Sequence, residues 1–535
     1  MQAFAQLYSE LDASTSTQHK VQALTQFLSC SPAPDAAWAI YFLAGGRARK
    51  LVATKILRQA ACAATQIPDW LFEESYQAVG DLAETIAHVL PPALSSHSLS
   101  LAQWMEQRLL SLAALTPEQL PAVLQDYWSE LNQQERFLML KLISGGFRVG
   151  VSRLLIIRAL AQYSGLDSAL MAQRMMGYTQ QLPTPQRYAT LLLQQSEPEA
   201  GQPYPFFLAH ALAAAPDTLG SATDWLAEWK WDGIRAQVVR RAGRYWIWSR
   251  GEELMTERFP ELHTLQHLPD GTVLDGELLV WDGTRPASFA QLQTRITRKM
   301  VSKKIMSQSP VIFMAYDLLE SAAHDSRHLP QHQRRLQLEE LLESCPAAGV
   351  HLSEMVQASS WLELSQWRNQ SRERGVEGLM LKHKNSAYGV GRTKQHGQWF
   401  KWKVEPYTID AVLVYAQAGH GRRASLNTDY TFALWRKTAE GQRELVPFAK
   451  AYSGLTDEEI QWVDRQIRQN TREKFGPVRS VTPTLVMELG FEGLQRSTRH
   501  KSGVAVRFPR ILRLRSDKTV EQADELDTLC ALIKA

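Results

Sequence analysis

The sequence contains no apolar run of the ~18 or more residues that a membrane-spanning helix needs, so no such span is expected. Cysteine is scarce. Cys30, Cys62, Cys345 and Cys530 stand far apart along 535 residues, which fits neither a disulfide framework nor a CxxC metal module and makes a reducing cytoplasm the simplest compartment. The opening MQAFAQLYSELDAS lacks the basic segment, apolar core and small-residue cleavage site of a secretory signal. Charge of neither sign dominates. A net charge of +4 and a pI near 8.7 permit nucleic-acid binding without requiring it.

The chain is longer than one hydrophobic core serves, so three domains, or two with a large extension, are expected. Residues 1–200 read as all-helical, with 3.6-period stretches such as ERFLMLKLI and SRLLIIRALAQY and an opening stripe of Phe4, Leu7, Tyr8 and Leu11. Two stretches there resemble each other: FLAGGRARK (42–50) and LISGGFRVG (142–150). Each ends an apolar helix on Gly-Gly and then supplies arginine. Such a turn can present helix N–H groups to a phosphate beside Arg47, Arg49 or Arg148; it can equally be a glycine cap followed by a solvated basic residue. The aperiodic QSEPEAGQPYPFF (195–207) marks a boundary. Residues 201–405 mix strand and helix patterns as an α+β body, beginning with a hairpin in RAQVVRRAGRYWIWSRG. Residues 406–535 are strand-rich around one helix, which Thr456 and Glu459 start with a capping box; a small barrel of oligonucleotide-binding type fits that order. Basic charge collects late: Arg496, Arg499, Lys501, Arg507, Arg510, Arg513, Arg515 and Lys518 face Asp517 alone. The closing EQADELDTLCALIKA puts Leu526, Leu529 and Leu532 on one helix side, suited to packing on the barrel.

The sharpest local feature is Glu228-Trp229-Lys230-Trp231-Asp232-Gly233-Ile234-Arg235. A lysine among tryptophans can be desolvated, and a desolvated lysine can attack phosphorus. The same letters also describe a strand-edge lysine stacked on tryptophan. Five further elements follow in order: Ser249-Arg250-Gly251, Leu274-Asp275-Gly276-Glu277-Leu278, Phe313-Met314-Ala315-Tyr316-Asp317-Leu318, Val376-Glu377-Gly378-Leu379-Met380, and Trp399-Phe400-Lys401-Trp402-Lys403. The last alternates so that its lysines share a face opposite the aromatics. Arg507-Phe508-Pro509-Arg510 and Arg515-Ser516-Asp517-Lys518 close the series.

Taken together, these elements resemble the ATP-dependent DNA ligases of the covalent nucleotidyltransferase superfamily over nearly the whole chain. The resemblance implies an all-α DNA-binding domain (1–200), an ATP-grasp-like adenylation domain (201–405) and a β-barrel OB-fold (406–535). Lys230 would attack the α-phosphate of ATP, Glu228 read the adenine amino group, Arg235 hold ribose and Tyr316 stack on the base. Arg250 would contact the nucleotide and then the 5′-phosphate of a nick, while Lys401 and Lys403 touch the α-phosphate. Tyr388-Gly389-Val390-Gly391-Arg392 resembles a further family stretch, although the spacing from Arg392 to Lys401 is longer than usual. Glu277, beside ribose or metal, and Glu377 are the magnesium candidates, and Arg515 with Lys518 would neutralise departing pyrophosphate. The implied partner is nicked duplex DNA, encircled by a monomer without a membrane role. Ends lacking a basic tail or long leader are expected of a bacterial member. RNA ligases, GTP-using capping enzymes, NAD-dependent ligases with a four-cysteine zinc module, and a non-catalytic DNA-end scaffold are the alternatives.

Overall fold

Apolar residues three and four apart build the N-terminal helices: Gln2–Ala13 buries Phe4, Leu7, Tyr8 and Leu11, the stripe read from the sequence. In this computed structural model the described residues are all except 47–50, 95–98, 146, 148, 195–199, 297, 299–300, 393–397, 420–425, 477 and 534–535. Arg47, Arg49 and Arg148 lie outside them. Gly45, Gly145 and Gly150 have positive φ, the left-handed conformation that lets a helix end and the chain turn. Lys20 donates to the Gly150 carbonyl at 2.9 Å, holding that glycine in place.

The chain falls into two compact units, residues 1–49, 99–110 and 145–404, and residues 50–98, 111–144 and 405–535. The helices of residues 1–200 are thus shared between them. In the first unit the strands are, in order, β1 (His210–Ala211), β2 (Trp225–Trp229), β3 (Ile234–Arg241), β4 (Arg244–Ser249), β5 (Thr272–Val280), β6 (Val311–Ser321), β7 (His324–Asp325), β8 (Val350–Leu352), β9 (Gly378–His383) and β10 (Trp399–Lys403). One sheet runs β1-β10-β9-β2, the other β4-β3-β5-β6-β7 with β8 on β6. The β3–β4 connection is the expected hairpin: Ala242 and Gly243 have φ of 48° and 73°, the paired left-handed geometry that matches strand twist. Trp229, Leu379, Leu381 and Trp402 from the first sheet pack with Leu279, Ile312 and Met314 from the second, so an apolar layer joins the sheets and brings β2, β5 and β9 together.

The second unit carries β11 (Tyr407–Ala418), β12 (Asn427–Lys437), β13 (Arg443–Ala451), β14 (Thr471–Phe475), β15 (Val478–Val481), β16 (Val486–Phe491), β17 (Gly493–Arg496), β18 (Val504–Arg507) and β19 (Arg510–Leu514). Helix Asp457–Gln469 begins with the predicted capping box of Thr456 and Glu459. Its Val463 and Ile467 share a core with Leu526 and Leu529 of the final helix, as the apolar stripe implied. The stretch AVRFPRILRLR forms two strands: β18 pairs with β17, β19 with β16, and between them Phe508 turns to φ 53°. Pro509 has no N–H for a ladder, so the strand breaks there.

Candidate active site

β2 ends at Trp229, and the next residue, Lys230, continues its pairing with the start of β9. The Lys230 N–H donates to the Gly378 carbonyl (2.9 Å), and the Glu377 N–H donates to the Lys230 carbonyl (2.8 Å). The KxDG lysine and the glutamate preceding Gly378 are thereby fastened backbone to backbone. Their side chains meet as well: Lys230 Nζ lies 2.6 Å from Glu377 Oε2, and Lys403 Nζ of β10 lies 3.2 Å from the same oxygen. Burial pushes the Glu377 carboxyl up, but the ammoniums of Lys230 and Lys403 outweigh it and hold the group below its ordinary range.

Glu277 enters from the other sheet, on β5, paired in register with Arg235 of β3. Burial raises its carboxyl to about 8; Lys230 and Arg235 oppose the rise, while Glu377 and Asp275 add to it. Glu277 thus stands close enough to Glu377 for the two to oppose each other's ionisation. Magnesium commonly takes one or two carboxylates and completes its shell with phosphate oxygens and water, so Glu277 and Glu377 suit it. Among the described residues no group of three His, Cys, Asp or Glu forms a metal cage. Lys401 of β10 is pushed below its ordinary value by burial and then by the like charges of Lys403, Lys230 and Arg392, a cluster of cations awaiting an anion. Arg392 itself is exposed, in the bend after Gly391.

Glu228 is almost wholly buried on β2, 3.0 Å from the equally buried Lys382 of β9. Lys382 also donates to the Tyr316 carbonyl at 3.0 Å, and its ammonium sits 4.6 Å from the Tyr316 ring centre and 4.5 Å from that of Trp399. The acid and the aromatic expected to read a purine edge and face are held by one lysine. Sequence reading missed Lys382, because a lysine near the end of GLMLKHK resembles solvated strand edge. The β2–β9 register places it diagonally from Glu228. Trp399 corrects another expectation: it packs with Phe207 and Tyr388, apart from Phe400 and Trp402, so it shares the alternating face of Lys401 and Lys403. Three aromatics in a five-residue strand cannot all lie opposite two alternating lysines.

Arg235 is engaged within the chain. It grips Asp275 with two bonds of 3.1 and 2.7 Å, donates to the Phe207 carbonyl at 2.5 Å, and lies 3.2 Å from the Tyr388 hydroxyl, which itself donates to Asp275 at 2.6 Å. The motifs that contain Asp275 and Tyr388 imply no role for either residue; this buried knot is the role the structure gives them. Arg250 is exposed in the turn after β4, its N–H bonded to the Arg235 carbonyl. In the second unit, Arg515 meets Asp410 at 2.7 Å and Asp517 at 2.8 Å, and Lys518 meets Asp410 at 2.5 Å.

A lysine and acids at the junction of two sheets, a cationic strand for an anion and a buried acid beside an aromatic define a nucleotidyltransferase domain. Residues 206–403 match the family model described as ATP dependent DNA ligase domain. Residues 1–161 match DNA ligase N terminus, and residues 423–518 match ATP dependent DNA ligase C terminal region. A probable DNA ligase of Koribacter versatilis is 30% identical over 98% of this chain and 95% of its own. A DNA ligase of Thermococcus fumicolans is 26% identical over 99% and 97%. The chain belongs to the ATP-dependent DNA ligase family. Its fold is shared with a solved structure titled Pmar-Lig_PreS3, at 14% identity and a TM-score of 0.63, covering 96% of this chain and 99% of that one.

Proposed function

We propose that this chain seals nicks in duplex DNA in three steps, with Lys230 as the nucleophile. Lys230 Nζ bonds to the α-phosphorus of ATP as the bond to pyrophosphate breaks. The resulting AMP passes to a 5′-phosphate as the bond from Nζ to phosphorus breaks, and the neighbouring 3′-hydroxyl then displaces AMP. The observation that carries this reading is Lys230 Nζ held 2.6 Å from Glu377, with Lys403 on the same carboxylate. The acid is placed to take up a lysine proton and the cations to receive phosphate oxygens.

Lys401 and Lys403 are assigned to the α-phosphate, Tyr316 to the face of adenine and Glu228 to its amino group. Arg235, fixed on Asp275, forms the ribose side of the site. Arg250 contacts the nucleotide and later the 5′-phosphate, with Arg392 in support. Arg515 and Lys518 serve the pyrophosphate, which must draw them from Asp410. Magnesium, held by Glu277 and Glu377, supplies charge neutralisation on the attacked phosphate. The helical residues 1–200, with Arg47, Arg49 and Arg148, together with domains 201–405 and 406–535, encircle nicked DNA as a cytoplasmic monomer and grip its phosphates without reading sequence. No described helix is long and apolar enough to cross a membrane.

Wild type and Lys230→Ala are incubated with magnesium and α-labelled ATP, α-labelled GTP or labelled NAD, then run on a denaturing gel and assayed on a nicked duplex. The expected result is label from ATP on wild type alone, with sealing. Label from GTP or NAD moves the nucleotide assignment, and label retained by Lys230→Ala overturns the nucleophile.

A further inference from the structure

Arg153 is the first residue of helix Arg153–Ser164 in the helical region, three residues after the Gly150 turn. Its guanidinium lies 2.6 Å from the carboxylate of Glu252 and also donates to the Met175 carbonyl. The same Glu252 oxygen accepts the Gly177 N–H at 3.2 Å. Gly177 is pressed against the central body: a Cβ there would lie 3.0 Å from the Trp248 ring. Two separate pieces of the helical segment therefore converge on one carboxylate.

That carboxylate belongs to the turn carrying Arg250. The turn is closed by the Glu252 N–H on the Ser249 carbonyl (2.8 Å) and the Ser249 N–H on the Glu253 carbonyl (2.9 Å), with the Glu253 N–H on the Ser249 hydroxyl (3.1 Å). Glu252 has φ 62°, a conformation disfavoured for a residue with a side chain and kept where surroundings fix it. Burial pushes the Glu252 carboxyl up and the Arg153 guanidinium down, so each charge needs the other. Neither residue pairs with Lys230, Glu377 or Lys403; they hold a turn and its exposed arginine.

We propose that the Arg153–Glu252 pair is a positioning device that sets the Arg250 turn against the helical region, so that Arg250 meets the 5′-phosphate of a nick bound by that region. This rests on the reading of Arg250 given above. Lysine adenylation rests on the groups clustered around Lys230, with Arg250 only one nucleotide contact among several, and does not require the helical segment in register, so it is the less sensitive of the two steps. Transfer of AMP to DNA does require it, because Arg250 and the helical segment must then grip one duplex.

The test uses the full chain as Arg153→Met, Glu252→Gln, the double variant and Arg153→Lys. Lysine labelling by ATP is measured first; single-turnover sealing of nicked DNA is then measured per labelled molecule, so only folded, adenylated protein counts. Each single loss is expected to slow sealing about tenfold or more while labelling, in which Arg250 is one contact among several, falls far less, by about threefold at most. The double variant should be no slower than the worse single, and Arg153→Lys should recover most of the rate. Labelling that falls in step with sealing, a variant that takes no label, or losses that multiply in the double variant overturns the proposal. Wild type that ATP does not label overturns the underlying reading instead.

Discussion

Glu277 holds its proton into the neutral range, and that has a consequence for stability. Its carboxyl sits at about 8 in the folded chain against an ordinary 4.5. Between those values the folded protein binds a proton that the unfolded chain has released. The stability this group contributes is therefore present below about pH 4.5 and lost as pH rises through about 8. Glu277→Gln removes the dependence. Melting temperatures of wild type and variant, compared from about pH 5 to 9 without nucleotide, should diverge in the variant's favour as pH rises, while the variant loses lysine labelling. A difference independent of pH overturns the argument. Residues such as Lys230, Glu228 and Glu377 were legible as candidates because fixed neighbours in the sequence mark them. Lys382 and Asp275 were not, because what gives them meaning lies far along the chain: Lys382 is 154 residues from Glu228, and no local pattern records that pairing.

Elements were legible where they are long or chemically punctuated. Helix Asp457–Gln469 declared its start through Thr456 and Glu459, and the β3–β4 hairpin declared its turn through Gly243. β1, β7 and β8 span two or three residues, too few for a period to show; tertiary pairing creates them. β9 and β10 carry the clearest element-scale consequence. Gly378 has φ +142°, and a Cβ on it would lie 2.3 Å from the Trp402 carbonyl and 2.7 Å from Lys403 Cα. Any side chain must push β10 away, taking Lys403 from Glu377 and loosening the backbone bond that fixes Lys230. Gly378→Ala should lower lysine labelling roughly 100-fold, the scale expected of a misplacement near 1 Å, and lower the melting temperature as well. A variant that labels at the wild-type rate shows that β10 can yield without disturbing the site.

At the scale of the whole molecule, charge counted from sequence and charge offered to DNA differ. The late run from Arg496 to Lys518 reads as a basic strip, yet Arg513 lies 2.5 Å from Glu488, Arg510 lies 3.7 Å from Glu492, and Arg515 and Lys518 share Asp410. A cation already paired with an acid releases little counterion from DNA when it approaches a phosphate, whereas Arg499 and Lys501 are exposed on the loop between β17 and β18. Each phosphate newly neutralised steepens the fall of log affinity with log salt by about 0.9. Nicked-duplex affinity measured between about 50 and 200 mM salt should therefore fall steeply, but less than the full basic run would give. Arg499→Ala with Lys501→Ala should flatten that slope by nearly two units of phosphate contact, and Arg513→Ala should leave it almost unchanged. Equal effects from the two sets would mean that DNA displaces Glu488 from Arg513, and that the sequence count, not the paired structure, measures the binding face.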